Sequence, residues 1–253
     1  MRLPPLLTRL LLSLSLLVPL SLQADLASNT IEPKEFSLTY ELTAGVLTLG
    51  EMQRTLSFDE TTQRYVYDSY SKPTGYAKLF TSNNLKERSE WIIHNNRLRP
   101  LIYTYDRTKS AFTKERHIKM RFDWEKSRVI TSVNDDPWSL NIPEGTIDKL
   151  LYHLAVVYDL KNDQAILEYD VADGGKMRQY RFERLGHETL TTELGQFDTI
   201  KLKLPGKRDT FIWCAPALDY LPVKLEQSEK RGTLLMRIKS AQINGQTYTV
   251  KTP

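Results

Sequence analysis

The chain has a single cysteine, Cys214, among its 253 residues, so an intrachain disulfide is excluded. Cys214 lies in an apolar, strand-like run, Phe211 to Pro216, with no histidine or other base close to it in sequence. This setting favours a buried, inert thiol over a nucleophile or an intermolecular link.

Histidine is also scarce, and the four histidines are too far apart for a metal-binding motif such as His-Glu-x-x-His. The sequence contains no Gly-x-Ser-x-Gly motif, no phosphate-binding loop and no dinucleotide-binding motif. We therefore predict no catalytic residue, no metal site and no cofactor.

The chain carries no excess of charge of one sign. Its formal net charge is +4, which falls to about +2 without Arg2 and Arg9 of the N-terminal leader. A charge this small, without a basic patch, gives no support for nucleic-acid binding. Hydrophobic residues make up 40% of the chain. This content is enough to bury a normal core. No Pro/Gly/Ser-rich linker divides residues 25–253, and we expect them to form a single β-rich domain.

The N-terminus holds a short hydrophobic run. Arg2 and Arg9 precede a leucine-rich stretch, and the small residue Ala24 precedes Asp25. This layout is typical of a secretory signal peptide, residues 1–24, and the apolar stretch is too short for a comfortable membrane span. We predict cleavage after Ala24 and a soluble, exported periplasmic protein that is not an integral membrane protein.

Alternation of apolar and polar residues dominates the rest of the chain, as in half-buried strands. Asp173-Gly174-Gly175 and Asn244-Gly245 predict hairpin turns, because glycine accepts the positive φ of a tight turn. Basic residues at outward positions predict a solvated face, or a weak surface for anionic headgroups. These are Lys119, Arg121, Lys201, Lys203, Arg237 and Lys239. Strands are predicted near 35–42, 46–58, 63–72, 75–81, 85–93, 99–107, 116–124, 127–133, 164–172, 175–184, 187–193, 200–204, 211–215, 221–226 and 233–243.

One segment, about 146–158, follows helical spacing instead. Thr146 is in position to cap the helix, and Asp148 is favourable in its first turn. His153 falls off the apolar stripe, so we expect its side chain in solvent. The predicted fold is mainly β: a single curved antiparallel sheet or an incomplete β-barrel, with this one amphipathic helix packed against it or plugging it.

Aromatic residues recur in i, i+2 pairs, and each pair lies on one face of its strand. Such pairs favour a packed core with cross-strand aromatic contacts, but they also fit a cavity for an apolar ligand or the aromatic girdle of an outer-membrane barrel. The candidates for lining a ligand cavity are Tyr103, Tyr105, Phe122, Trp124, Phe211 and Trp213.

Several segments, in this order and spacing, resemble the exported bacterial proteins grouped as domain of unknown function 3108. The resemblance covers about 34–243 and implies a β-rich fold and a periplasmic or envelope location. It implies no activity, and the matching residues are mostly turn formers and aromatics. They are Trp91, Leu98 to Tyr105, Phe122 to Trp124, Pro143 to Asp148, Asp173 to Lys176, Tyr180, Leu194 to Thr199 and Trp213 to Val223.

These observations lead to three hypotheses about function. The first is a non-enzymatic envelope protein that binds an apolar or lipid-like ligand or supports envelope assembly with a protein partner. Fold-level analogy with the half-barrel lipoprotein carriers of the periplasm motivates the ligand. The second is a structural or interaction module with a filled core, and the third is a hydrolase without a recognisable motif. They require, respectively, an open aromatic cavity, an exposed apolar patch, and a polar cleft with perturbed carboxylates or histidines. The sequence specifies no oligomeric state.

Overall fold

The computed structural model describes residues 30–75, 84–109, 114–229 and 232–249, so the predicted signal peptide lies outside it. These residues form sixteen strands, one α-helix, α1, Tyr152–Lys161, and a short 3-10 helix, Pro216–Leu218. The first nine strands are β1 Phe36–Ala44, β2 Leu47–Asp59, β3 Arg64–Pro73, β4 Leu85–His94, β5 Arg97–Arg107, β6 Arg116–Asp123, β7 Arg128–Val133, β8 Asp136–Asn141 and β9 Ile147–Asp148. Those after the helix are β10 Leu167–Ala172, β11 Met177–Thr192, β12 Gly195–Leu204, β13 Thr210–Cys214, β14 Pro222–Glu229, β15 Gly232–Ile243 and β16 Gln246–Thr247.

All of these strands belong to one sheet, in which neighbours in sequence are mostly neighbours in space. The two halves of the chain meet where β1 pairs with β15, with Tyr40 opposite Ile238. Every pair is antiparallel except β9 with β10. This arrangement confirms the prediction of a mainly β fold built on a single curved sheet.

Glycines shape the sheet where the backbone needs a positive φ. The two predicted strands at 175–184 and 187–193 form one long strand, β11, because a bulge at Gly186, with φ 102°, keeps the pairing with β12 continuous. Both predicted hairpin turns are confirmed: Gly174 and Gly175 join β10 to β11, and Gly245 joins β15 to β16. The predicted strand at 75–81 lies almost entirely outside the described residues.

Helix α1 begins at Tyr152, later than predicted, and differs from a surface helix. Residues 147–148 form β9, and the Thr146 hydroxyl donates to the carbonyl of Pro143 at 2.8 Å instead of capping the helix. Eight of its ten residues are buried, because the sheet curls around it. The expectation of a solvated His153 is therefore wrong: this side chain is buried inside the fold.

The core fills the space between the concave face of the sheet and α1 in one continuous cluster. Each large side chain that is fully removed from water contributes about 1.5–3 kcal/mol. Since most residues of α1 belong to this cluster, much of the stability from core burial comes from packing of the helix on the sheet. The largest buried side chains include Tyr40, Trp91, Tyr103, Met120, Leu150, Leu154 and Leu202.

A seam separates the two edge strands of the sheet. Among the described strands, neither β8 nor β9 has a second hydrogen-bonded neighbour. Trp138 of β8 lies so close to Gly175 that a Cβ on this glycine would lie 1.9 Å from the ring carbon Cζ2. Ile118 of β6 packs less closely on Gly174, where a Cβ would lie 3.2 Å from its Cδ1. Side-chain packing therefore closes the curved sheet at this seam, and the barrel is incomplete.

Candidate functional site

A cavity of about 730 Å³ opens at the N-terminal end of α1. Its volume falls within the range of about 300–1,000 Å³ that is typical of small-molecule sites. Charged and polar side chains form about half of its lining. The rest includes flexible aliphatic and thioether side chains contributed by seven strands, Leu42, Met52, Leu85, Met177, Leu204, Leu225, Leu234 and Met236.

Arg54 lies in the wall of this cavity and is buried, with 5% of its surface exposed. It shares one face of β2 with Met52 and Leu56, because side chains two residues apart along a strand point the same way. Its Nη2 lies 3.3 Å from Nε2 of His153 on α1. The Nε and Nη1 atoms of Arg54 have no hydrogen-bond partner among the described residues.

His153 is a neutral partner for this guanidinium. Burial, followed by the positive charges of Arg54 and Lys149, holds the pKa of His153 well below its usual value. Since a guanidinium can only donate hydrogen bonds, Nε2 of the neutral imidazole accepts and its proton resides on Nδ1. Nδ1 is buried and also lacks a partner among the described residues. The site therefore presents buried donors without acceptors.

The other groups that interact electrostatically with Arg54 are three phenols and one carboxylate, Tyr40, Tyr67, Tyr152 and Glu87. Burial raises the pKa of each phenol, so the tyrosines stay neutral. Glu87 also lines the cavity, but it accepts a hydrogen bond from Tyr103 at 2.7 Å. Within the described residues, no carboxylate oxygen lies within 4.0 Å of the Arg54 guanidinium. Arg54 is therefore a buried cation without an ion-pair partner in the described chain.

The remaining cations of the cavity wall lie at its rim and are paired. Arg178 contacts Asp173 at 2.8 Å, and Lys149 approaches the same carboxylate at 3.8 Å. Arg208 forms an ion pair with Glu229. These side chains are partly exposed, so they make a weaker electrostatic contribution than a buried charge.

A second buried charge, Asp148, lies just before the helix and is completely surrounded by donors. Its Oδ1 accepts from the backbone amides of Leu150 and Leu151 at 2.9 and 2.8 Å, and its Oδ2 accepts from the Ser89 hydroxyl at 2.5 Å. Burial raises the pKa of Asp148 to about 6. This carboxyl group anchors the start of α1 to β4.

A smaller cleft of about 290 Å³ borders the other part of α1. Tyr169 donates to Asp159 across it at 2.7 Å, and burial raises the pKa of that carboxyl group. Asn96, also in the wall, accepts from the backbone amide of Ile31 at 2.8 Å. The hydrogen bonds of these polar groups are made within the chain, so the smaller cleft is less suited to binding a ligand than the larger cavity.

The structure places two predicted aromatic pairs in the packed interior. Tyr103 is buried and binds Glu87, and Tyr105 is half-buried against the core. Phe122 stacks on Trp124 at a centroid distance of 5.8 Å, and the indole nitrogen of Trp124 donates to a backbone carbonyl at 2.8 Å. None of these four residues is among those that line the larger cavity.

The third pair, Phe211 and Trp213, lies on the other face of β13 from the buried residues Ile212 and Cys214. The ammonium groups of Lys201 and Lys224 lie 4.8 and 4.0 Å from the Trp213 ring centroid. The indole ring is thus covered by lysine side chains and does not line the cavity. Cys214 is buried as predicted, and burial raises the pKa of its thiol to about 12.

The cavity residues escaped the sequence analysis because they are aliphatic and dispersed over the chain. One local signal was present: Arg54 occupies an inward position of the predicted strand at 46–58, two residues before Leu56. A charged residue on the apolar side of an alternating strand indicates a buried polar site.

Among the residues that the structure describes, no group of three or more His, Cys, Asp or Glu side chains could hold a metal ion. None of their helices has the length and apolar character needed to cross a membrane.

Comparison with known proteins agrees with this architecture. The model of a family described as "Protein of unknown function (DUF3108)" matches residues 37–239. No curated protein matches the chain. Among solved structures, the fold is similar to that of a β-barrel-like protein of domain of unknown function DUF1849 from Brucella abortus, with a TM-score of 0.56 and 7% identity over 85% of this chain and 99% of that one. At this identity the likeness shows the fold alone.

Proposed function

The chain belongs to the DUF3108 family of proteins of unknown function, and we propose that it is an exported, non-enzymatic envelope protein that binds a lipid-like ligand. The observation that carries this proposal is the cavity of about 730 Å³ with its aliphatic wall. Export is supported by the layout of residues 1–24.

The wall is suited to an alkyl chain. Leucine and methionine side chains adapt to a flexible ligand, and methionine fills irregular space well. Each methylene that leaves water contributes about 0.8 kcal/mol. About ten buried methylenes would therefore offset a large part of the cost of association and give micromolar binding.

Binding is tested with the full chain, expressed with its leader and purified without added lipid. Native mass spectrometry identifies any ligand that co-purifies, and Nile red, a neutral apolar dye, is titrated and then displaced with dodecanol. Leu225→Trp fills the cavity from its wall and should weaken dye binding at least tenfold. Leu190→Trp is the matched control, because Leu190 packs on the core but does not line the cavity.

The proposal fails if neither a co-purifying ligand nor dye binding is found, or if Leu225→Trp binds the dye as tightly as the control. Export is measured separately, by cell fractionation and N-terminal sequencing. A mature protein that begins at Asp25 is the expected result. Retention of the intact N-terminus in the cytoplasm would contradict the envelope location.

One observation favours a second candidate function, an interaction module. The turn between β1 and β2 exposes Val46 completely and 65% of Leu47. Leu42 and Met52, farther along the same two strands, line the cavity. An apolar hairpin tip next to a cavity suits contact with a membrane surface or an apolar partner. The double variant Val46→Asp/Leu47→Asp should abolish co-flotation with lipid vesicles if the tip makes this contact.

A further inference from the structure

The larger cavity contains a charge that no ion pair with a described residue neutralises. Arg54 is buried, it lines the cavity, and its Nε and Nη1 lack hydrogen-bond partners among the described residues. Arginine cannot escape the cost of burial by losing its proton. A buried cation of this kind is stabilised by a negative partner.

The neighbours of Arg54 do not fill this role. His153 accepts one hydrogen bond from Nη2 but is neutral, and the surrounding phenols of Tyr40 and Tyr67 are neutral as well. Glu87 lies beyond ion-pair distance and is hydrogen-bonded by Tyr103. The contact with His153 and the hydrogen bond with the Tyr67 hydroxyl fix the guanidinium in the cavity wall, and neither neutralises its charge.

The chemistry of these donors selects the ligand. The partnerless nitrogen atoms are Nε and Nη1 of Arg54 and Nδ1 of His153. All three carry protons, because a guanidinium is a donor only and the neutral His153 is protonated on Nδ1. A carboxylate or a phosphate offers only acceptors, and arginine binds both with charge-assisted hydrogen bonds. The aliphatic wall, in contrast, suits a hydrocarbon chain.

Building on the proposed binding of a lipid-like ligand, we propose that this ligand is an anionic amphiphile. Its carboxylate or phosphate would contact Arg54, and its alkyl chain would lie along the leucine and methionine side chains of the wall. His153 acts as a positioning residue for the guanidinium. Glu87 repels the bound anion and so lowers its affinity. Arg54 and Glu87 therefore affect anion binding with opposite signs.

The test compares four probes with the same alkyl chain by calorimetry at about pH 8, where a carboxylic acid is ionised. They are dodecanoate, dodecyl phosphate, dodecanol and dodecyltrimethylammonium. Wild-type protein should bind at least one of the two anions about tenfold or more tightly than dodecanol, and the cation most weakly. The better anion identifies the headgroup as carboxylate or phosphate.

Three variants locate the headgroup. Arg54→Met should remove the preference for the anion but leave dodecanol binding within about threefold of wild type, because methionine preserves the apolar volume. Glu87→Gln should strengthen anion binding several-fold, because it removes the carboxylate that repels the anion. The amide oxygen of the glutamine still accepts the hydrogen bond from Tyr103, so the local structure is kept. Arg178→Met is the matched control: it removes a cation from the rim and should leave the preference intact.

The outcomes separate the two proposals. If no probe binds, both the proposed lipid binding and the proposed anionic headgroup are wrong. If dodecanol binds wild type as tightly as both anions, or the cation binds best, lipid binding is supported and the anionic headgroup is wrong. An anion preference that survives in Arg54→Met and disappears in Arg178→Met would place the headgroup at the rim and overturn the role of Arg54. Should Arg54→Met fail to fold, the wild-type probe series and Glu87→Gln still decide the result.

Discussion

Asp148 and Arg54 are both buried and both lie close to the start of α1, but they differ in how far their hydrogen-bonding groups find partners within the chain. Asp148 receives three hydrogen bonds, two from backbone amides and one from Ser89. Arg54 contacts two neutral groups, the imidazole of His153 and the hydroxyl of Tyr67, and keeps two nitrogen atoms without partners in the described residues. The Asp148 carboxyl group is satisfied within the chain, and its hydrogen bonds anchor the start of the helix. The second has no negative partner among the described residues, which is what the proposed headgroup site requires.

The largest expected effect comes from removing the satisfied charge. Asp148→Ala leaves the amides of Leu150 and Leu151 and the Ser89 hydroxyl buried without an acceptor. Each such group costs about 1–3 kcal/mol, so we expect a loss of about 3–5 kcal/mol in the free energy of unfolding. Urea denaturation followed by circular dichroism measures it. A loss below about 1 kcal/mol would show that Asp148 does not anchor the helix.

The pH dependence of stability sharpens the same point. Burial raises the pKa of Asp148 to about 6 in the folded protein, against about 3.9 in an unfolded chain. The folded state therefore holds this proton more tightly, and the resulting stability is present below about pH 4 and is lost as the pH rises through 6. The change amounts to about 3 kcal/mol.

Asp148→Asn isolates this contribution, because asparagine keeps the acceptor and does not titrate. We expect equal stability of variant and wild type near pH 4 and a more stable variant at neutral pH. His153 acts in the opposite direction, since its depressed pKa makes the fold lose stability as the pH falls. It is present in both proteins and cancels in the difference. Parallel urea titrations across this range would refute the prediction if the difference stayed constant.

Arg54 should respond with the opposite sign. Arg54→Met removes a buried charge without an ion-pair partner and preserves much of its volume. Replacements of this kind are often neutral or stabilising by 1–4 kcal/mol. We expect the ligand-free variant to be about 1 kcal/mol more stable than wild type in thermal unfolding. A loss of about 3 kcal/mol would instead assign Arg54 to the structural framework, as for Asp148.

The smallest effect is expected at the rim of the cavity. Arg178 pairs with Asp173 at 2.8 Å, and 52% of its side chain is exposed. Exposed ion pairs contribute about 0–1 kcal/mol. Arg178→Met should therefore change the free energy of unfolding by less than about 1 kcal/mol, and this small change should shrink further in high salt. A larger change would show that rim charges are coupled to the fold.

Sequence periodicity predicted the strands well, because a strand with one buried face must alternate. It predicted α1 less well. The stripe rule assumes one solvated face, whereas the curled sheet buries eight of the ten helical residues, His153 among them. Curvature depends on pairings between distant strands, such as β1 with β15. No local window of sequence contains that information.

The candidate site shows the same limit. Aromatic pairs identified positions that are buried, such as Tyr103 and Phe122, but packing depends on what faces each ring. Trp213 has lysines over its ring, on the face opposite Ile212. Much of the cavity wall is made of common leucine and methionine residues, beside charged and polar ones, and only the tertiary fold brings them together. Arg54 alone carried a local signal, its inward position on β2.

The seam between β8 and the turn after β10 has a mechanical consequence. The circumference of a closed barrel is set by its strand number and stagger. This sheet is open, and its seam is closed by the packing of Trp138, on the edge strand β8, against Gly175 in the turn after β10. Asp173 and Met177, on either side of that turn, belong to the cavity wall. Because no described strand pairing crosses this seam, a change in the width of the cavity would alter the packing of Trp138 on Gly175 and leave the interstrand hydrogen bonds intact.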